Sequence, residues 1–486
     1  MLKEIIPFDR LWLQMQGSSR GTRAVVSFIR FLERRFGAEL VYDSARIGYE
    51  PSLLTDLFEL AEKLRARGVI RSYTRHTMLP DEPRVAYWKV ECATERKEDA
   101  AASSVDDERH ALTSALAEAI ERYTWFESVD QFTALRRATL AHMKREGSRI
   151  LHPERFAGYS DAQRKENRHL RYTEESSFAW VEGYSWTQEK SVWVPAQTVS
   201  AHKKFHPPHT AATSEPAIRA SITTGMAVHP SRTTALLSGA LEVIERDAYI
   251  ITWLNQLSPP HFDLDEVAKQ SASLAELLAR CRRYRLEPHA LRFPTDAPTY
   301  VVGAVLEDMS GALPRFSIGL KAGRNPQRAI EGALLEALRA RLGARTWMQS
   351  SEDDWDPETK TSGITHYDRL RYWAEKKHAD HLAFLVQGDI TPLQKETWEN
   401  DTDEENFERI VAWCRTCGYE LASVSSTLAK ANVPGWHIEF VVIPELQPLH
   451  LNERLPHIGG KRLSDIPRKF GYTSRNPYLD DPHPFA

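Results

Sequence analysis

A nine-residue pattern occurs twice. Ser114-Ala115-Leu116-Ala117-Glu118-Ala119-Ile120-Glu121-Arg122 returns as Ser238-Gly239-Ala240-Leu241-Glu242-Val243-Ile244-Glu245-Arg246, and both read S-x-x-x-E-x-I-E-R. A degenerate third copy, G-A-L-L-E-A-L-R-A-R, carries Gly332, Glu336, Arg339 and Arg341. Successive residues lie ~100° apart on a helix, so Ser114, Glu118, Glu121 and Arg122 fall in an arc of roughly 100°. The rest of the circumference is Ala, Leu and Ile. Such a helix packs on most sides and presents one stripe of two carboxylates, a hydroxyl and a guanidinium. A solvated helix carries Lys, Gln and Glu on its other faces. Here those faces are apolar, so the acids line a cavity. Carboxylate oxygens suit Mg²⁺, and arginine suits phosphate oxygens. The plainer reading is an i,i+4 surface ion pair in each copy, Glu118 with Arg122 and Glu242 with Arg246. Two near-identical copies weigh against it.

A chain of 486 residues is long enough for one large fold or for two to three domains. The net charge of −4 gives no reason to expect nucleic acid. No apolar run approaches the ~18 residues of a membrane span. The start, M-L-K-E-I-I-P-F-D-R, lacks the basic head and apolar core of a signal peptide, so a cytoplasmic protein is expected. Four cysteines in a chain this long do not make a disulfide framework. Cys414 and Cys417 form a C-x-x-C with no second copy to complete a zinc site. They read as ordinary members of an amphipathic helix ending at Gly418. His202, His206 and His209 fall in a proline-interrupted loop and read as solvent-exposed. No G-x-x-x-x-G-K-[ST] occurs, which excludes a P-loop.

Residues 53–67 read as an amphipathic helix stopped by Gly68. V-I-R-S-Y and R-V-A-Y-W-K-V-E-C read as strands, and F-A-W-V-E-G-Y-S-W with S-V-W-V-P-A as a hairpin. The acid- and Ala-rich stretch 94–108 is expected to lead into the first repeated helix. Later strands are expected in P-T-Y-V-V-G-A-V-L-E-D, P-R-F-S-I-G-L-K-A-G, H-L-A-F-L-V-Q, Y-E-L-A-S-V-S and W-H-I-E-F-V-V-I-P. This order argues a mixed α/β or α+β fold, with the stripe-bearing helices packed on sheets. Residues 1–55, with a basic helix candidate at 24–35, are expected to be an N-terminal extension. Residues 56–486 are expected to form the catalytic domain, with 351–368 as a loop insertion.

With these motifs the chain resembles the YcaO superfamily, whose nucleotide site is built from S-x-x-x-E-x-x-E-R and a second helix with E-x-x-E-R-D. The second helix is matched by Glu242, Glu245, Arg246 and Asp247. R-G-V-I at 67–70, V-P-A at 194–196, T-G-M-A-V-H-P-S at 224–231 and V-V-I-P-E-L-Q-P-L at 441–449 resemble further family segments in order and spacing. The ending, Asp481-Pro482-His483-Pro484-Phe485-Ala486, resembles the P-H-P-F-P of azoline-forming members. The chain departs from the pattern in five places. No glycine-rich turn precedes the first helix, Arg339 stands where the third helix has Gln, Thr224 replaces Asn, His229 replaces the second Gly, and Ala486 replaces Pro.

The resemblance implies a fold with a nucleotide site lined by acidic helices. It implies that Ser114, Glu118, Glu121, Arg122, Ser238, Glu242, Glu245, Arg246, Glu336 and Arg341 bind ATP, and that Glu118, Glu121, Glu242 and Glu245 hold Mg²⁺. Pro482, Pro484 and Ala486 would be catalytic, the terminal carboxylate serving proton transfer. The implied reaction is ATP-dependent cyclodehydration of Cys, Ser or Thr in a ribosomally made precursor peptide to thiazoline or oxazoline. Nothing in residues 1–55 reads as a leader-binding module. The implied partners are therefore a ubiquitin-activating-like leader-binding protein and a flavin dehydrogenase, in a homodimer or hetero-oligomer. A thioamide- or amidine-forming enzyme and a non-catalytic scaffold are the alternatives.

Overall fold

The computed structural model describes residues 54–486 apart from 77, 95–98, 128–131, 133, 203–214, 221, 351–368, 370–371, 374–375, 394, 428–429 and 486. The 24–35 helix candidate, His206, His209, the 351–368 stretch and Ala486 lie outside the described residues. The chain divides into two compact units, Met1–Ser52 and Leu53–Ala486, and every described residue belongs to the second.

Helix α1 (Thr55–Ala66) stops before Gly68, whose φ of +71° costs a glycine little. Strands β1 (Ile70–Arg75), β2 (Ala86–Cys92) and β3 (Asp99–Ser104) lead to α2 (Glu108–Glu127). Strands β4 (Leu135–Thr139), β5 (Ser177–Ser185), β6 (Lys190–Pro195) and β7 (Met226–His229) lead to α3 (Arg232–Leu254). Next come β8 (His261–Phe262), helix α4 (Ala272–Arg283), β9 (Leu286–Arg292), β10 (Tyr300–Asp308), β11 (Phe316–Gly323) and α5 (Pro326–Ser350). The last elements are β12 (Ile390–Thr391), α6 (Asp403–Cys417), β13 (Ala422–Ser425), β14 (His437–Val442) and α7 (Arg462–Lys469).

The strands form three sheets, ordered β1-β2-β3, β4-β5-β13-β14-β7 with β6 on β5, and β11-β10-β9-β8-β12. The expected β5–β6 hairpin is present and antiparallel. Helix α6 ends at Gly418 as expected, with Cys414 buried, Cys417 exposed and both thiols free. Two expectations fail. Residues 99–104, read as a lead-in, form β3, where a partly buried Ala/Ser run pairs with β2 and lies under α2. Residues 380–386 form a 3₁₀ helix rather than a strand. In both places tertiary packing overrides local preference.

Helix α2 and the first two sheets share one apolar core, which includes Leu116, Ile120, Trp180 and Phe440. Helices α3 and α6 pack with one side of the third sheet, and α4 and α5 with the other. Strands β3, β7 and β11 each stand at the end of their sheet, and each directly precedes a repeated helix. An end strand has N–H groups without a sheet partner. Those groups build the site.

Candidate active site

The three repeats begin alike. Asp107, Ser231 and Asn325 each accept the N–H three residues on, at 2.8, 3.3 and 2.9 Å, and so start their helices. Each cap lies seven residues before the first motif position, Ser114, Ser238 or Gly332. The first glutamate of each motif then bonds the strand or turn before it. Glu118 accepts Ala101 N–H at 3.1 Å, Glu242 accepts Gly225 N–H at 3.0 Å, and Glu336 accepts Leu320 N–H at 2.5 Å. The residue three further on reaches the strand of the next repeat. Glu121 accepts Val228 N–H at 3.0 Å and Glu245 accepts Ala322 N–H at 2.6 Å. Arg339 closes the ring by donating to Ser103 Oγ at 2.9 Å. The three helices are thereby tied in a cycle, with their acids turned toward one another.

Close approach demands small residues here. A Cβ on Gly225 (φ +95°) would lie 2.1 Å from Val441 O, and one on Gly239 would lie 2.5 Å from Gly225 O. Gly319 is similar, 2.1 Å from Ala333 O. Gly332, which replaces the serine of the other copies, has a different cause. The stem of Lys321 crosses it, 3.0 Å from where a Cβ would sit. The Lys321 charge acts on Glu242.

The first carboxylate of each motif stays in touch with water. The side chains of Glu118, Glu242 and Glu336 are 32%, 28% and 25% exposed. Burial first, then the charges of Glu118 and Glu242, holds Glu121 well above the usual carboxylate range. Burial also raises Glu242 and Glu336, with Arg246 opposing in both. Among the cations near them, Arg122 is 2.8 Å from Glu118, Arg246 is 2.7 Å from Glu245 and 3.5 Å from Glu242, and Arg339 is 3.8 Å from Glu336. A group of mutually repelling carboxylates open to water has the donors and the charge deficit that a hard divalent cation satisfies.

Ser114 is half-buried and Ser238 exposed, each one turn before its glutamate. Arg341 does not join the group, which corrects its assignment as a nucleotide ligand. Its donors are taken by Glu82 at 2.9 Å, Asp308 at 2.5 Å and Pro314 O at 2.8 Å, and it is 2% exposed. Helical geometry explains this. Arg341 is five residues from Glu336, roughly 140° round the helix, whereas Arg339 is three away, roughly 60°. Arg339 is the arginine that faces the site, and the repeat alignment carries that signal. Lys321 lies outside the repeat and had no signal beyond the odd Gly332. Asp247, next to the motif, is also structural. It takes Arg462 at 2.7 Å and Gln447 N–H at 2.7 Å.

The proline segment is built into the core. Phe485 is buried, its ring lies under the Arg246 guanidinium at 4.2 Å, and its N–H donates to Tyr249 Oη at 3.1 Å. Trp373 Nε1 donates to Pro482 O at 3.0 Å. The segment therefore touches a residue of the repeat itself.

A family model described as YcaO cyclodehydratase, ATP- and Mg²⁺-binding, matches residues 105–447, a span that contains all three repeats. The chain belongs to the YcaO family. Its cofactors are ATP and Mg²⁺. A search of curated proteins finds no match. Among solved structures, a heterocyclase in complex with substrate and cofactor has a TM-score of 0.69 at 21% identity, over 88% of this chain and 57% of its own. This YcaO chain thus spans little more than half of that heterocyclase. The YcaO protein of Methanopyrus kandleri, bound with AMPPCP and Mg²⁺, has a TM-score of 0.55 at 18% identity, over 84% of this chain and 94% of its own. The E. coli microcin synthetase McbBCD complex with pro-MccB17 bound has a TM-score of 0.56 at 14% identity, over 85% and 96%. At these identities the likeness is one of fold, and it matches the mixed α/β architecture. No helix among the described residues is long and apolar enough to cross a membrane.

Proposed function

We propose that this YcaO protein is an ATP- and Mg²⁺-dependent cyclodehydratase that converts Cys, Ser or Thr of a ribosomally made precursor peptide to thiazoline or oxazoline. The observation that carries the reading is the contact between Arg246 and Phe485, which joins the carboxylate group to the proline segment. Glu118, Glu121, Glu242 and Glu245 would hold Mg²⁺, with Glu336 beside them. Ser114, Ser238, Arg122, Arg246, Arg339 and Lys321 would face the nucleotide. In the reaction, a thiol or hydroxyl adds to the preceding backbone carbonyl and gives up its proton. ATP bound at the site would supply the phosphoryl group that turns the resulting oxyanion into a leaving group, and Mg²⁺ held by the carboxylates would neutralise its charge. Departure of phosphate with loss of the amide proton leaves the C=N of the ring, so one water is removed overall. The protein's share is positioning and charge neutralisation. Pro482 and Pro484 are proposed to stiffen and place the segment, and Ala486 to serve proton transfer at the new ring.

We expect the chain to work in the cytoplasm as a homodimer or hetero-oligomer. A ubiquitin-activating-like partner would present the peptide, and a flavin dehydrogenase would oxidise the product. The microcin synthetase likeness supports an assembly of this kind. The test incubates the chain, Mg-ATP, a precursor peptide and the partner encoded beside it, and counts peptide water losses by mass spectrometry. Deleting residues 482–486 is expected to remove the water losses while Mg-ATP still raises the melting temperature. Undiminished ring formation after that deletion would take the proline segment out of the mechanism.

A further inference from the structure

A second buried polar group surrounds the proline segment, away from the repeats. His483 is fully buried. Its Nε2 lies 2.6 Å from the His450 carbonyl oxygen and 3.9 Å from the Glu453 carboxylate. Glu453 pairs with His450 Nε2 at 2.9 Å and accepts Arg369 Nε and Nη2 at 2.9 and 2.7 Å. Arg369 is itself fully buried. His450, Glu453 and His483 place their ligand atoms within 4.8 Å of one another, which is also the make-up of a metal site. Arg369 argues against that use, because its guanidinium already holds Glu453 and a divalent ion would add charge beside a buried cation.

Apolar contacts alone would bury a proline-rich segment, but they would not choose its register. Pro482 and Pro484 lack the N–H with which a chain normally locks to a neighbour. Sliding an extended segment by one residue, ~3.3 Å, would bring a proline to the place of His483 and leave its neighbours without a donor. A buried ionic or polar group costs desolvation and is best explained where it specifies one arrangement.

We propose that Arg369, Glu453 and His450 are positioning residues that read His483 and so set the register of the Pro482–Phe485 segment against Arg246 and the carboxylates. The inference rests on the proposed function only for its consequence in catalysis. The register itself is testable without any reaction.

The test is hydrogen–deuterium exchange of the Phe485 amide, which Tyr249 Oη accepts. It uses the full chain and the variants Glu453→Gln, His483→Leu and His483→Gln. Exchange is expected to quicken tenfold or more in the first two. It is expected to return to within threefold of wild type in His483→Gln, which keeps a donor near the Nε2 position. Mg-ATP consumption is measured alongside, where kcat should fall in His483→Leu with KM for ATP within twofold of wild type. Equal exchange in all four proteins overturns the proposal, as does a quickening that His483→Gln fails to reverse. A stoichiometric metal ion in the purified wild type that His483→Leu lacks overturns it in favour of a metal site. If Mg-ATP is neither bound nor consumed by the wild type, the nucleotide reading fails, and the exchange data still decide the register.

Discussion

On helix α5, Glu336 and Arg341 stand five residues apart and meet different surroundings. Among the described residues Glu336 has Arg339 as its one ion-pair partner, at 3.8 Å, and the matching Glu242 on α3 has Arg246 at 3.5 Å. Glu121 has no ion pair among the described residues, only the Val228 N–H. Arg341 lies 2.5 Å from Asp308 and 2.9 Å from Glu82, all three at 2% exposure or less, and Arg345 reinforces Glu82. The first set is loosely paired, open to water and left with spare negative charge. The second is closed and tightly paired. Loose pairing keeps capacity for a ligand, and tight pairing holds helices in place.

The largest expected effect breaks the first side of this comparison. Glu121→Gln or Glu242→Gln is expected to lower Mg-ATP consumption on the order of 100-fold or more, because each removes an oxygen donor from an electrostatic site. Thermal stability should hold or rise, since a poorly compensated charge leaves with it. Phosphate release and melting curves read the two outcomes separately, and normal turnover in both variants would return the stripe to an ordinary helix surface.

The second side breaks differently. Arg341→Met strands Asp308, leaves Glu82 with Arg345 alone, and is expected to cost about 3–5 kcal/mol of stability. Urea unfolding measures this. Nucleotide affinity of the folded fraction should stay within twofold, which separates Arg341 from Arg339.

A third test uses pH on a closed region. His457 Nε2 accepts Ala220 N–H at 3.0 Å, and its Nδ1 faces Leu449 O at 3.0 Å, so only the neutral ring fits. Burial first, then His450 and Arg219, brings its pKa down to about 3. The unfolded chain takes this proton below ~6.5 and the folded protein does not, so stability is fully present above ~6.5 and falls with pH down to about 3. The slope is about 1.4 kcal/mol per pH unit. His457→Asn should flatten the wild-type fall between pH 6.5 and pH 5, measured by unfolding at each pH. An unchanged slope would count against the neutral ring.

The smallest effect sharpens the contrast from the cationic side. Arg219 is 8% exposed, lies over Phe156 at 5.3 Å, and has no carboxylate partner among the described residues. Burial brings its pKa down to about 10. Arg219→Met is expected to raise stability by about 1 kcal/mol, as loss of an unpaired buried charge should. A lower melting temperature would show that the guanidinium is compensated after all.

Much of this was legible in the residues. The stripe of Ser114, Glu118, Glu121 and Arg122 is a property of one helix, and helical periodicity places it without reference to any neighbour. The apolar remainder of each repeat identified α2 and α3 as packed helices, and Gly68 and Gly418 marked ends by their φ. The ring of contacts was not legible, because it depends on three end strands from three sheets. Nothing local in A-A-A-S-S indicates a strand, and β3 exists because β2 and α2 lie against it.

The sequence by itself determined which side chains share a helical face, since that follows from a fixed rotation per residue. It determined the chemistry on that face, and the family that carries it. Only the tertiary structure decided which faces meet. Arg339 turns to the site and Arg341 to a buried network because of what stands opposite each, which is settled by residues 82, 103 and 308, far away in the chain. The burial of Pro482–Phe485 was likewise decided in three dimensions. Two prolines make an extended segment cheap to order, but its seat comes from Trp373, Tyr249 and Arg246. Contacts between distant residues depend on how the elements pack, and one chain read in order does not contain that geometry.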